Sequence, residues 1–591
     1  MIDNMNELTQ FSPHAGKLFL QAVAGDISGR REAENNAVAG AGTQRSMFCY
    51  APKSGCPDAK QCQVMMVLRD ESGEASAQAL LTSLELDKLA EEKHFLLLFP
   101  NPKANGWNYA DDPARESDMD YLVRCFGILK DSEIGVSGFN GMIFYIAASE
   151  SASALLMTMA ALKPINVPAM MLSAFPTGYE IPAGALNIEV AAWSSNPAAS
   201  EYIKWANCVE ESSESVDGVI TYYGKNPNVR LLTTERTLDA DAVKIAWEQL
   251  FSETRRWQND TYGTYQKRTN FTARGFVGHV NEEILGVNRG CKHTWYEYIP
   301  PQLRGTSEKV PLLFYFHGGG CVPLYGAEQS GWHDVADEEN FIVVYPKAAQ
   351  KKMWNVWNDP MLEYSDEAFF LALIDHMKTV HPIDETRIYV SGFSMGGMMS
   401  NCMACIQPNI VSAAAPCNAY NEGYFNSFAT MLNRINNNNA MNMSDRFPGE
   451  TEEITPVRKQ ADVKKTAYNY RMPIIQISGL LDQTWPITSP QDRRLMTFDY
   501  WKAYNNIHTE PFEQDNTHES GLKADETWYD GADERFLHHR WFSCDPGNPA
   551  LYELFLAKRM PHALDIRTAR YAWKFLKMFS RNPDGSLTIT K

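Results

Sequence analysis

Hydrophobic and polar positions along the chain form short apolar runs separated by segments of helical length, and the pattern is written twice. The run at 95–100 (FLLLFP) returns at 341–346 (FIVVYP), each followed within eight residues by a Trp-Asn pair, Trp107-Asn108 and Trp354-Asn355. Offsets between the copies are nearly constant: 248 from Tyr50 to Tyr298, 246 for the FLLLFP run and 248 from Ser117 to Ser365. The chain therefore reads as one domain duplicated. In the second copy the spacing predicts strands over 312–316, 341–345, 387–390, 473–478 and 551–556. It also predicts a helix over Asp366–Val380, where Phe369, Phe370, Leu373, Ile374 and Met377 recur at helical spacing. Short strands alternating with crossover helices imply, in each half, an α/β fold with a mostly parallel sheet flanked by helices. The expected order is an N-terminal segment 1–45, a first domain 46–251, a linker 252–290 with added strands, and a second domain 291–591 carrying insertions at 420–470 and 506–545.

Length agrees with that count, because 591 residues exceed what one core usually supports. The composition, 44% hydrophobic and 21% charged, is that of an ordinary globular protein. A formal net charge of −18 argues against a nucleic-acid partner, since little here would release counterions from phosphate. The first thirty residues hold no apolar run long enough for a signal sequence or a membrane span, which points to a cytoplasmic protein with no membrane partner. Eleven scattered cysteines fit reduced thiols. Cys402 and Cys405, spaced like a redox or zinc pair, lie in an apolar stretch and read as helix packing.

Candidate chemistry is concentrated in the second copy. The strand 312–316 runs into His317-Gly318-Gly319-Gly320, a turn whose glycines let backbone N–H groups approach a ligand. The strand 387–390 runs into Gly392-Phe393-Ser394-Met395-Gly396, a G-x-S-x-G turn between a strand and a helix, which makes Ser394 the candidate nucleophile. A serine hydroxyl needs a base and a carboxylate to orient that base, expected in the order Ser, acid, His. Asp482 stands just past the strand 473–478, whereas Asp515, Glu519, Asp525 and Glu526 lie in a polar insertion. Among the later histidines, His562 follows the strand 551–556 and precedes a helix with Ala569, Trp573, Leu576 and Phe579 as its apolar positions. The pair His538-His539 is its competitor. His317 is expected to hold the glycine turn through its ring nitrogens.

At these residues the chain resembles the polyhydroxybutyrate depolymerase and feruloyl or acetylxylan esterase group of the α/β-hydrolase superfamily. The resemblance runs from about Tyr296 to Phe579 and implies two tandem α/β-hydrolase-like domains, the first catalytically degenerate. It also implies carboxylic-ester hydrolysis by a Ser394-Asp482-His562 triad through an acyl-enzyme, with no metal or organic cofactor. The oxyanion would be met by the N–H of Met395 and of one glycine among Gly318, Gly319 and Gly320. Trp354, Trp357 and Trp485, on loops at the same sheet end, would offer aromatic faces to a small or oligomeric ester, and loop anchoring is their other reading. Members often carry a His-Gly-Thr-like sequence where this chain has Ser478-Gly479-Leu480-Leu481. A serine peptidase of the prolyl-oligopeptidase type and a noncatalytic binding protein are the alternatives. The two insertions are expected to form a lid or wall over the site.

The first copy lacks these elements together. Arg69 stands opposite His317, and Asp70, Glu71 and Ser72 stand opposite the glycines. Aligning 144–146 with 388–390 puts Glu150 opposite Ser394. Ser194-Ser195-Asn196 supplies no acid, and Arg236 falls opposite His562. A pseudo-hydrolase domain follows, shaping the substrate entrance or forming the interface of a homo-oligomer.

Overall fold

The computed structural model describes Leu8 and residues 14–23, 45–58, 60–110, 117–127, 140–207, 212–216, 218–284, 287–288, 291–349, 352–356, 364–419, 471–483, 497–498, 501–502, 504–508 and 515–590. The chain divides into two compact units, Met1–Asn270 and Phe271–Lys591. The segment expected as a linker is shared between them. Two of its strands, Thr254–Trp257 and Thr264–Lys267, belong to the first unit, and a third, Val277–Glu283, belongs to the second.

Each unit is built on one ten-stranded sheet. The first unit contributes β1 (Leu18–Val23), β2 (Arg45–Tyr50), β3 (Val64–Leu68), β4 (Leu96–Pro100), β5 (Ile143–Ala147), β6 (Ala169–Leu172), β7 (Ala191–Ser194), β8 (Ser212–Val216), β9 (Val219–Tyr223) and β10 (Arg230–Thr234). Its β11 (Thr254–Trp257) and β12 (Thr264–Lys267) form a separate hairpin. The second unit contributes β13 (Val277–Glu283), β14 (Lys292–Tyr298), β15 (Val310–Phe316), β16 (Ile342–Pro346), β17 (Ile383–Phe393), β18 (Val411–Cys417), β19 (Ile474–Gly479), β20 (Glu526–Asp530), β21 (Phe536–Phe542) and β22 (Ala550–Ala557).

The two spatial orders are the same: β1-β2-β4-β3-β5-β6-β7-β10-β9-β8 and β13-β14-β16-β15-β17-β18-β19-β22-β21-β20. In both, the central strands pair in parallel while the two strands at either end run antiparallel. These are tandem α/β-hydrolase-like domains. The central strands are continuous apolar runs because helices cover both faces, and β3, β4, β15 and β16 are buried at every position.

Side-chain landmarks repeat with the sheet. Trp247 stacks on Phe95 (4.4 Å) and meets Phe144 edge-on, as Trp573 stacks on Phe341 (3.8 Å) and meets Tyr389 edge-on. Trp107 Nε1 donates to the Arg69 carbonyl at 3.0 Å, and Trp354 Nε1 to the His317 carbonyl at 2.7 Å. The backbone N–H groups of Asn108 and Asn355 donate to the buried carboxylates of Asp118 and Asp366.

The described part of the expected insertion 506–545 is built into the sheet and does not form a lid. It carries β20 and β21, which extend the second sheet as β8 and β9 extend the first. Its run Phe536–Phe542 is buried at five of seven positions and lies between β22 and β20, so the histidines there belong to the sheet. The other expected insertion, 420–470, lies outside the described residues, as do Trp357 and Trp485.

Candidate active site

Three strand ends of the second sheet supply the candidate residues. β17 is followed directly by the helix Met395–Ile406, and Ser394 is the residue between them, at φ 54° and ψ −118°. A non-glycine residue in that region costs about 1–3 kcal/mol. The turn is held by Ser394 N–H donating to the Cys417 carbonyl and Met398 N–H donating to the Ser394 carbonyl. Close approach explains Gly396: a Cβ there would run into the Phe316 carbonyl and lie 2.6 Å from the His317 carbonyl oxygen. Strand, turn and helix therefore pack too tightly for any side chain at that position.

The acid and histidine loops are zipped together. Leu480 N–H donates to the Ala557 carbonyl and Leu481 N–H to that of Met560. At Gly479 a Cβ would lie 2.7 Å from the Pro561 carbonyl oxygen, so only glycine lets the two loops approach. This brings Asp482, 1% exposed, to His562: Oδ2 lies 2.9 Å from Nδ1. His562 Nε2 lies 2.9 Å from Ser394 Oγ, and the imidazole packs against Phe393 with ring centroids 4.8 Å apart. Residues 88 and 168 positions from the serine thus form one hydrogen-bonded line.

The glycine turn lies beside it. His317 is fully buried, with Nδ1 at 2.8 Å from the Gly318 carbonyl and Nε2 accepting from Ala348 N–H. The ring is thereby fixed with its proton on Nδ1, the role expected of it. Gly320 N–H is committed to the Lys352 carbonyl at 2.9 Å. Gly319 abuts the residue after the serine, since a Cβ built on it would be 3.5 Å from Met395 Cβ. Among the described residues, the N–H groups of Gly319 and Met395 have no acceptor. Of the three glycines, then, Gly320 is spent on the turn and Gly319 is the best-placed donor.

Two further residues support the turn and the loops. Of its two readings, Trp354 takes that of loop anchor: it is 2% exposed, its indole N–H donates to the His317 carbonyl, and it presents no face to a ligand. Sequence reasoning passed over Asn418, fully buried at the end of β18 with φ 45°. Its Oδ1 accepts from Gly479 N–H at 2.8 Å and its Nδ2 donates to the Ala563 carbonyl, so one amide ties the acid strand to the histidine loop. An asparagine at a strand end, where a positive φ is needed, was the only signal available. The competing histidines are used elsewhere. His538 pairs with buried Glu553 at 2.7 Å. His539 contacts Ser520 and Thr527, and burial pushes its imidazole down to about 4.

Proteins named as esterases and a depolymerase resemble part of this chain. The chain is 34% identical over 134 residues to the bifunctional acetylxylan esterase/xylanase XynS20E of Neocallimastix patriciarum, covering 22% of this chain and 19% of that one. It is 33% identical over 140 residues to poly(3-hydroxyalkanoate) depolymerase C of Paucimonas lemoignei (22% and 32%). It is 29% identical over 124 residues to feruloyl esterase B of Thermothelomyces thermophilus (20% and 42%). The chain is distantly similar to carboxylic-ester hydrolases, and these matches span between about a fifth and two fifths of the relatives' lengths. Among solved structures, the acetyl xylan esterase from Aspergillus awamori aligns over 51% of this chain and 99% of its own, at 15% identity and a TM-score of 0.34. No protein-family model matches the chain.

The first unit carries a serine at the corresponding place. Leu68 pairs with Ala147 as Phe316 pairs with Gly392, so Ser149 corresponds to Ser394, and Glu150 begins the following helix. This moves the counterpart of Ser394 by one residue, from Glu150 to Ser149. Ser149 is extended (φ −148°, ψ 168°), and its hydroxyl accepts from Ala152 N–H while donating to Asp70 at 2.7 Å. Asp70 and Arg69 replace the start of the glycine turn. Arg69 spreads its guanidinium over Ser76, Pro100, Gly73 and Asn101. On the acid strand's counterpart, Asn196 caps the next helix instead of supplying a carboxylate.

Proposed function

We propose that the second unit is a serine carboxylic-ester hydrolase acting on a small or oligomeric ester of the hydroxyalkanoate, feruloyl or acetyl type. The observation that carries this reading is the line Asp482–His562–Ser394, with 2.9 Å at both contacts. His562 Nε2 takes the Ser394 proton as Oγ attacks the ester carbonyl carbon. The C=O π pair moves to oxygen, and the tetrahedral oxyanion accepts from the N–H groups of Met395 and Gly319. Collapse expels the alcohol, which receives the proton from His562. Water, deprotonated by the same imidazole, then attacks the acyl carbonyl and releases the acid with Ser394 restored. Asp482 is buried and keeps the imidazole in the tautomer with its proton on Nδ1. The first unit takes no part in this chemistry, because Ser149 has no histidine partner among the described residues.

The substrate class is supported by similarity to esterases and a depolymerase, and the peptidase reading lacks its expected propeller: the first unit is an α/β sheet. The purified chain should hydrolyse p-nitrophenyl acyl esters and leave aminoacyl nitroanilides intact. The reverse selectivity would replace an esterase with a peptidase.

A further inference from the structure

The edge of the second sheet holds a cluster of metal-ligating side chains that ester hydrolysis does not use. Glu297 on β14 is 3% exposed, yet among the described residues no lysine or arginine pairs with it. Three imidazoles face it instead. His279 Nε2, from β13, lies 3.2 Å from Oε1, and His376 Nε2, from the helix Asp366–Val380, lies 3.4 Å from the same oxygen. His381 Nε2, just past that helix, lies 3.5 Å from Oε2.

A buried carboxylate needs a cation or full hydrogen bonding. The fold itself does not require a carboxylate there. In the first unit the register partner is Cys49, which sits in the apolar core.

Two of the three donor separations match those of ligands around an ion. Zinc bonds of about 2.0–2.1 Å in a tetrahedron put neighbouring donor atoms about 3.3 Å apart. The donors of His279, Glu297 and His376 all lie within 4.8 Å of one another, with the two measured edges at 3.2 and 3.4 Å. An outer layer is present too. The other nitrogen of His279, Nδ1, lies 3.0 Å from Glu282 Oε1, the carboxylate-imidazole arrangement that orients a metal-bound histidine. Trp295 Nε1 donates to Glu297 Oε1 at 2.9 Å, and the His279 ring stacks flat on that indole at 4.4 Å. The histidines are partly exposed, so an ion can enter from solvent.

We infer that His279 Nε2, His376 Nε2 and Glu297 Oε1 bind a divalent transition-metal ion, with Zn²⁺ the best match to the donor set, and solvent filling the fourth position. The ion clips the edge strand β13 to β14 and to the end of the helix. β13 is four strands from β17 in the sheet, on the order of 19 Å at the usual strand spacing. Its role is therefore structural.

The test is calorimetric titration of Zn²⁺ into chelator-treated, dialysed protein, beside the His279→Ala/His376→Ala double variant. Wild type should take up one equivalent at micromolar or tighter affinity and gain several degrees in Tm. The double variant should lose both effects while hydrolysing ester at the wild-type rate. Co²⁺ provides a check that needs no variant, since imidazole and carboxylate ligands give d–d absorption without a thiolate charge-transfer band. Failure of wild type to bind, equal binding by the double variant, or a thiolate band would each overturn the assignment.

Discussion

Ser149 and Ser394 hold the same register position in two sheets of identical strand order, yet their backbones differ: φ is −148° at Ser149 and 54° at Ser394. The relaxed serine caps a helix and donates to Asp70, whereas the strained one points its hydroxyl at His562. The two units thus share the turn position but not its conformation, because Ala147 and Ser151 stand where the second unit has Gly392 and Gly396. Ser149→Ala should leave the esterase rate unchanged and cost about 1 kcal/mol of stability through the lost cap, read by urea unfolding.

Trp354 separates an anchoring role from a binding one. Trp354→Phe removes the N–H that holds the His317 carbonyl, under the turn that carries Gly319. Steady-state kinetics should show kcat falling about tenfold or more with KM little changed. A rise in KM alone would return Trp354 to the substrate wall.

Asn418 holds two loops with one side chain. Asn418→Ala leaves the buried Gly479 N–H without its acceptor, at a cost of about 1–3 kcal/mol. It also loosens Ala563, next to His562. Asn418→Asp keeps the acceptor and loses the donor, so its kcat should fall between those of wild type and Asn418→Ala, with KM nearly constant across the three.

Acid sensitivity follows from buried imidazoles. Burial holds His333 down to about 4 from an ordinary 6.5, so the fold prefers its neutral form. Its contribution to stability is complete above 6.5 and is lost as pH falls through about 4. His539 acts in the same direction. Asp366 acts in the opposite one, since burial lifts its carboxyl to about 6 and its contribution fades as pH rises through that value. Wild-type Tm should therefore drop between pH 6.5 and 4, and His333→Leu should reduce the drop by the equivalent of about 3 kcal/mol. An unchanged slope in the variant would remove His333 as the cause.

The sheet strands and the Ser394, Asp482 and His562 positions were legible because each stands where an apolar run breaks into a tight turn, and tight turns demand distinctive residues. What was misread depended on contacts between distant segments. Tyr145 matches Tyr389 by identity, but the register pairs Phe144 with Tyr389, and a one-residue slip moved the serine's counterpart to Glu150. The strands β20 and β21 passed for an insertion because His538 and His539 are buried by partners outside their own run. Asn418 and the Glu297 cluster each join residues from three segments, and no local pattern announces them.

The central claim is that Ser394 is the nucleophile. The most direct measurement is mass-spectrometric mapping of the site modified by a fluorophosphonate probe in the folded full-length chain. One adduct per chain on Ser394 is expected, with none in Ser394→Ala and p-nitrophenyl ester hydrolysis falling about 10³-fold or more in that variant. An adduct on another residue, or a Ser394→Ala protein that hydrolyses the ester at the wild-type rate, would contradict it.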